Sequence, residues 1–291
     1  MKQFRSSFTI LELIIVMTIT GILVGSTFQM FINIYKSYYE IYVMHSLDLD
    51  LLNASMMIVK NIENRVKGSL IDSNKTDFQV ISGKYISDKN QTLQWIGIAQ
   101  DSYLGTWKNS KSRVVANWNG FLDLNKNHNQ TTIILNNLTN IPQAEDIIYN
   151  LSKSKVNISD KTSSLPAIFF KGGLDNSKTG FGWQNGESNN AFIGYFSNNS
   201  FITLGKFNKI YEQYFFSWTA YGLKVEDDRN LSLYWNYRPW NGETLEQHGE
   251  KITLLENVTE FRYGSNGTSI LVEICIKDFS DITFCRENII Y

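Results

Sequence analysis

The chain has 291 residues, 27 basic against 28 acidic, so its net charge of −1 gives it no global electrostatic footprint for nucleic acid. Only two cysteines are present, which excludes a disulfide-knit miniature scaffold. With 43% hydrophobic residues the chain has enough apolar side chain for one large domain or two small ones.

Residues 1–7, MKQFRSS, are a short basic leader whose only charges are Lys2 and Arg5. From Phe8 the chain reads FTILELIIVMTITGILVGSTFQMFINIY, and Glu12 is the only charge before Lys36. Coiled as a helix, residues 8–35 would extend roughly 40 Å, more than the ~30 Å hydrocarbon core of a bilayer. A secretory signal has a much shorter apolar core that ends at a small-residue cleavage site. Lys2 and Arg5 are expected to hold the N-terminus in the cytoplasm and send the rest outward. An isolated acid at the centre of a spanning helix costs about 2.5–3.5 kcal/mol. Glu12 therefore calls for a partner, and an opposite charge on a neighbouring molecule would supply one. Gly21 and Gly25 form a small-xxx-small step, which permits close helix approach in lipid.

The run Ser7-Phe8-Thr9-Ile10-Leu11-Glu12 resembles the processing site of type IV pilins and pseudopilins. That resemblance implies cleavage by a prepilin peptidase between Ser7 and Phe8, with Ser7 standing where the family usually has Gly. It further implies N-methylation of Phe8, and Glu12 as the assembly glutamate facing the terminal amine of an adjacent subunit. The chain would then be a single-pass inner-membrane protein with a cytoplasmic N-terminus and a periplasmic globular domain. Its implied partners are the lipid bilayer, other minor and major pilins or pseudopilins, and an inner-membrane assembly platform. The filament could belong to a type IV pilus, a type II secretion system or a competence system, with DNA or secreted protein as cargo. The alternative is a signal-anchored periplasmic binding or sensory domain that never assembles, in which Glu12 is incidental.

Residues 36–67 continue as an amphipathic helix. Leu47, Leu51, Ser55, Ile58, Ile62 and Val66 recur at three- and four-residue steps, and Gly68 is a stop signal. A single helix from about residue 6 to about 67 would be roughly 90 Å long.

Residues 69–291 read as a β-rich globular domain. Strands are expected at 78–81, 93–98, 132–135, 167–170, 191–196 and 201–207. A hairpin is expected from 214–225 and 231–237, and another around the Asn266-Gly267 turn, with strands at 261–263 and 269–276. A further short strand is expected at 252–255. Residues 102–190 read as loops and short strands, an insertion within the domain. The fold class is α+β: a long N-terminal helix packed on a C-terminal antiparallel β-rich domain. The stretch Leu254-Leu255-Glu256-Asn257-Val258-Thr259-Glu260-Phe261 resembles the segment before the last strands of minor pilins and J-type pseudopilins.

Cys275 and Cys285 lie close together in sequence and on the outward side of the expected topology. A turn through 277–281 would set them opposite each other on adjacent strands, close enough for a disulfide; the other reading is two reduced core cysteines. No catalytic constellation is found. His45, His128 and His248 are scattered and fit no zinc spacing, and no GxSxG elbow or phosphate-binding Gly loop occurs. Asp123-Leu124-Asn125-Lys126-Asn127 opens like a calcium loop, but His128 replaces the required Gly and Ile134 the bidentate Glu. The chain is therefore read as holding no metal or cofactor and as not an enzyme. Lys108, Lys111 and Arg113 beside Trp107 and Trp118 read as a solvated loop with core tryptophans. Residues 234–240, YWNYRPW, read as a strand whose aromatics pack on the sheet or a sister subunit.

Overall fold

The computed structural model describes residues 9–74, 78–81, 92–104, 106–108, 114–116, 120–126, 130–135, 140–172, 180–184, 190–198, 200–207, 209–277 and 283–291. The chain is α+β and divides into two compact units, residues 1–50 and 51–291.

In the first unit, residues 10–50 belong to the long helix α1 (Ile10–Glu63), which is the one helix among the described residues long and apolar enough to cross a membrane. Its most apolar window buries nothing inside the chain. The polar side chains there hydrogen-bond to the helix itself. The hydroxyls of Thr18, Thr20, Ser26 and Thr27 donate to backbone carbonyls three or four residues back, which removes most of their cost in an apolar solvent. No proline precedes Pro142 to break the run.

In the second unit, the last turns of α1 bury Leu51, Ala54, Ser55, Ile58 and Ile62, the face anticipated from the sequence. The helix stops at Glu63, four residues before the expected end, because the sheet captures the backbone. Ile98 N–H donates to Asn64 O and Val66 N–H to Ile96 O, both at 2.8 Å, while Arg65 bridges to Gly97. Gly68, at φ +86°, then takes the turn that a side chain would resist.

In chain order the strands are β1 (Ile71–Ser73), β2 (Phe78–Val80), β3 (Thr92–Gly97), β4 (Thr106–Lys108), β5 (Val114–Ala116), β6 (Thr132–Ile134), β7 (Ala167–Phe170) and β8 (Ala191–Ser197). They continue as β9 (Ser200–Thr203), β10 (Tyr214–Ser217), β11 (Thr219–Val225), β12 (Leu231–Tyr237), β13 (Glu250–Leu255), β14 (Val258–Ser265), β15 (Ile270–Lys277) and β16 (Thr283–Ile290). Among the described residues three short α-helices intervene: α2 (Gln100–Leu104), α3 (Ile141–Leu151) and α4 (Leu245–His248). A six-stranded sheet runs β13-β12-β11-β3-β1-β2, a five-stranded sheet β10-β7-β8-β9-β6, and a three-stranded sheet β14-β15-β16. Among the described residues β4 and β5 pair alone, and every pairing is antiparallel.

β7 lies between two cores. Its residues Ala167 and Phe169 pack with Val66, Ile96, Phe181 and Trp240, while Ile168 and Phe170 pack with Ile148, Phe196, Phe201 and Phe216. The uninterrupted apolar run AIFF is what a strand covered on both faces requires, since alternate side chains point to opposite sides.

The strand expected over 214–225 is two strands in two sheets. The chain leaves β10 at Ser217 and enters β11 at Thr219, and the buried Trp218 between them fills the core that holds Ile168 and Phe170. Residues 102–190 supply α3, β6 and β7, and these strands pair with β9, β8 and β10. Helix α3 stands where only loops and short strands were expected. Its buried residues Ile141, Ala144 and Ile148 follow a helical spacing, and Pro142 lies in its first turn, where a missing N–H costs nothing.

Candidate functional site

The front of α1 is built around one carboxylate. Thr9 precedes the first helical residue and Glu12 follows three positions later. Glu12 Oε2 accepts hydrogen bonds from the Thr9 backbone N–H and the Thr9 hydroxyl, each at 3.1 Å. In return the Glu12 backbone N–H donates to Thr9 Oγ1 at 3.4 Å. This reciprocal arrangement is a capping box, which satisfies helix N–H groups that have no carbonyl partner of their own. It also places a negative charge at the positive end of the helix dipole. Glu12 is exposed, and among the described residues its second oxygen, Oε1, has no hydrogen-bond partner.

The cap went unread in the sequence although its signal was there. Thr9-Ile10-Leu11-Glu12 satisfies the Ser/Thr-x-x-Glu pattern and lies inside the pilin-like run. Leader residues 1–7, with Ser7, and Phe8 lie outside the described residues. Along the same helix a Cβ added at Gly21 or Gly25 would meet no atom within 4 Å, so in the single chain both glycines face open space.

Cys275 and Cys285 form a disulfide. They are directly opposed on β15 and β16, with Cα atoms 4.0 Å apart. The Glu273 carboxylate lies beside the two sulfurs, but bonded sulfurs offer no thiolate to a metal.

Among the other sequence candidates, Asp123 serves a turn. Its Oδ1 accepts from Asn125 N–H at 3.1 Å and its carboxylate pairs with Lys126 at 3.4 Å, while Ile134 sits in β6 opposite Ser200. Asn127 and His128 lie outside the described residues. His248 accepts the Thr244 N–H at its Nδ1, 3.1 Å away, and so caps α4; His45 lies exposed on α1. Of the basic patch, Trp107 and Lys108 belong to β4, and Lys111, Arg113 and Trp118 lie outside the described residues. The aromatic run at 234–240 is core: Tyr234, Tyr237 and Trp240 are buried, and Tyr237 donates to Gln94 Oε1 at 2.8 Å. Burial holds the Tyr237 phenol well above its usual pKa.

A cavity of about 280 Å³ opens between β3, β11 and α4, lined by Phe78, Gln94, Trp183, Tyr237, Glu243 and Glu246 among others. Two of its acids are paired: Glu243 holds the buried Arg238 at 2.6 Å and Glu246 holds Lys224 at 2.7 Å. Among the described residues no nucleophile–base pair lines it.

Comparisons with protein-family models, with curated proteins and with solved structures found no match.

Proposed function

We propose that this chain is a minor pilin or pseudopilin, a subunit that helps initiate or cap a type IV filament. The observation that carries the reading is one carboxylate at the head of a helix whose apolar front half is exposed, inside the run Ser7-Phe8-Thr9-Ile10-Leu11-Glu12. In this mechanism a prepilin peptidase cuts between Ser7 and Phe8, and the new, methylated terminus is an ammonium. Glu12 Oε2 stays with Thr9 in the cap, and Oε1 receives the ammonium of an adjacent subunit. In a low dielectric such a pair favours one register between neighbouring helices, because a slipped register leaves both charges unpaired. The size of the β-rich unit and the resemblance of residues 254–261 to J-type subunits favour a minor over a major role.

The test is mass spectrometry of the mature protein from cells that have the peptidase. The expected N-terminal peptide begins with N-methylated Phe8. A terminus that retains residues 1–7 would leave an uncharged amide at Phe8 in place of the ammonium and so remove the mechanism.

The capping box favours a second reading, a signal-anchored periplasmic domain that does not assemble. There Glu12 is a helix cap and nothing more, and cleavage at Ser7 is not required.

A further inference from the structure

Phe28, Phe31, Tyr35, Tyr38 and Tyr42 succeed one another along α1 at alternating steps of three and four, with Tyr39 beside them. All are exposed, from 58% to 71%. At 3.6 residues per turn they fall within an arc of roughly 100°. Gln29, Asn33, Lys36, Ser37 and Glu40 fall on the opposite side. From residue 28 onward the helix therefore has an aromatic face and a hydrophilic face, whereas residues 13–24 are apolar or hydroxyl-bearing all round.

A membrane interface does not account for this stripe. Interfacial aromatics ring a helix at one depth, within a headgroup layer about 5–8 Å thick on each side. This stripe keeps to one face for roughly 21 Å of helix. Nor does it continue the face that the chain covers itself. With Phe28, Tyr35 and Tyr42 at heptad position a and Phe31 and Tyr38 at d, the buried residues Leu51, Ala54, Ser55, Ile58 and Ile62 fall at c, f and g.

We propose that residues 28–42 are a docking seam for a second copy of this chain, helix parallel to helix. Steps of three and four keep a seam against a neighbouring helix over several turns. The flanking e and g positions are Ile32, Tyr39, Ile34 and Ile41, so two identical seams meet without like-charge repulsion. Lys36 and Glu40 lie at the outer positions b and f. Copies anchored through residues 10–28 in one membrane are parallel and at one depth, which brings each seam against its counterpart in register. Aromatics that bury ~150–250 Å² when fully covered, and are here about two-thirds exposed, offer roughly 600–900 Å² per copy, near the ~800 Å² of a standard interface. Glu12 falls at f, off the seam. The inference rests on the membrane-anchored orientation proposed above and not on cleavage at Ser7.

The test uses the full chain in its membrane, co-expressed with two different tags. Single cysteines are introduced as Tyr35→Cys, Tyr38→Cys, Lys36→Cys and Ser37→Cys, and the membranes are oxidised. The native Cys275–Cys285 pair is already joined. Tyr35→Cys and Tyr38→Cys should give severalfold more linked dimer carrying both tags than Lys36→Cys and Ser37→Cys. Adding Phe31→Glu to Tyr38→Cys should abolish the link, and adding Ser37→Glu should leave it. Equal linking at all four positions, no linking at any, or an adduct that lacks the second tag would overturn the seam. Linked dimer from a chain that keeps residues 1–7 would leave the seam standing while the filament reading fails. A methylated Phe8 terminus without linked dimer would show the reverse.

Discussion

Replacing Glu12 by Gln separates the two roles that one carboxylate could play. In the cap, Oε2 accepts from the Thr9 N–H and hydroxyl at 3.1 Å. A glutamine carbonyl accepts the same bonds, and Gln serves this position of a capping box as Glu does. What the cap loses is the negative charge at the helix N-terminus, worth about 0.3–1 kcal/mol. An ion pair would lose far more. Removing one partner of a desolvated pair costs about 3–5 kcal/mol, roughly a hundredfold to a few thousandfold in an equilibrium constant. Insertion is read by membrane fractionation, and assembly by the yield of high-mass species after mild crosslinking. Glu12→Gln should insert normally and lose assembly at least roughly a hundredfold, by the lower bound of that cost. Glu12→Ala should add only the loss of the cap, about 1 kcal/mol. Thr9→Ala, which keeps the carboxylate, should assemble within a few fold of the parent chain. If Glu12→Gln assembles as well as the parent, while Glu12→Ala and Thr9→Ala share one small defect, the carboxylate is a cap and the ion-pair mechanism is wrong.

Other consequences concern the β-rich unit. Replacing Cys275 and Cys285 by Ser releases a loop with a sequence separation of 10, which on the chain-entropy model costs roughly 2.5–3 kcal/mol. Denaturant unfolding with and without reductant should show that difference, and an unchanged midpoint would mean that the sheet needs no clasp. Gly182→Ala should destabilise strongly. Gly182 sits at φ +85° and a Cβ there would lie 2.4 Å from the Trp240 backbone N and Cα, neither of which can swing aside; wild-type melting in the variant would contradict this packing. Alkaline pH should unfold the domain through Tyr237. Its pKa is raised in the fold, so its contribution is complete below about pH 10, the unfolded value, and is lost as pH rises toward the folded value. Above pH 10 the unfolded chain holds fewer protons, and stability should fall by about 1.4 kcal/mol per pH unit for this group alone. Tyr237→Phe should flatten that slope, and an identical slope would exclude the group as its source.

Local signals made much of the fold legible. The apolar run after Phe8 is a helix, AIFF is a doubly covered strand, Asn266-Gly267 closes a hairpin, and Cys275 faces Cys285 across neighbouring strands. What stayed hidden depends on partners distant in sequence. Nothing near Trp218 marks a change of sheet, because the break is dictated by β7 on one side and β3 on the other. Helix α3 was legible in principle, since Ile141, Ala144 and Ile148 recur at three- and four-residue steps and Pro142 suits a first turn, but its polar surroundings read as loop. At the front of α1 the capping pattern and the pilin-like pattern occupy the same residues. Reading one masked the other.

The first unit also shows where specificity has to come from. Ile10, Leu11, Leu13, Ile14, Ile15 and Val16 alone are 47–80% exposed. Fully covering a side chain of this kind is worth about 1.5–3 kcal/mol, so these six alone are comparable to the ~5–15 kcal/mol that holds a typical domain together. Such a helix must be covered by lipid or by protein. These side chains cannot choose between the two, because lipid tails are as apolar as leucine and helix association in a bilayer has no hydrophobic drive. Preference for a neighbour must come from features that lipid cannot match. On this helix those are the carboxylate of Glu12, the close approach permitted at Gly21 and Gly25, and the aromatic stripe from Phe28 to Tyr42. Each lies at a different depth, so substitutions at one level should alter association without altering insertion.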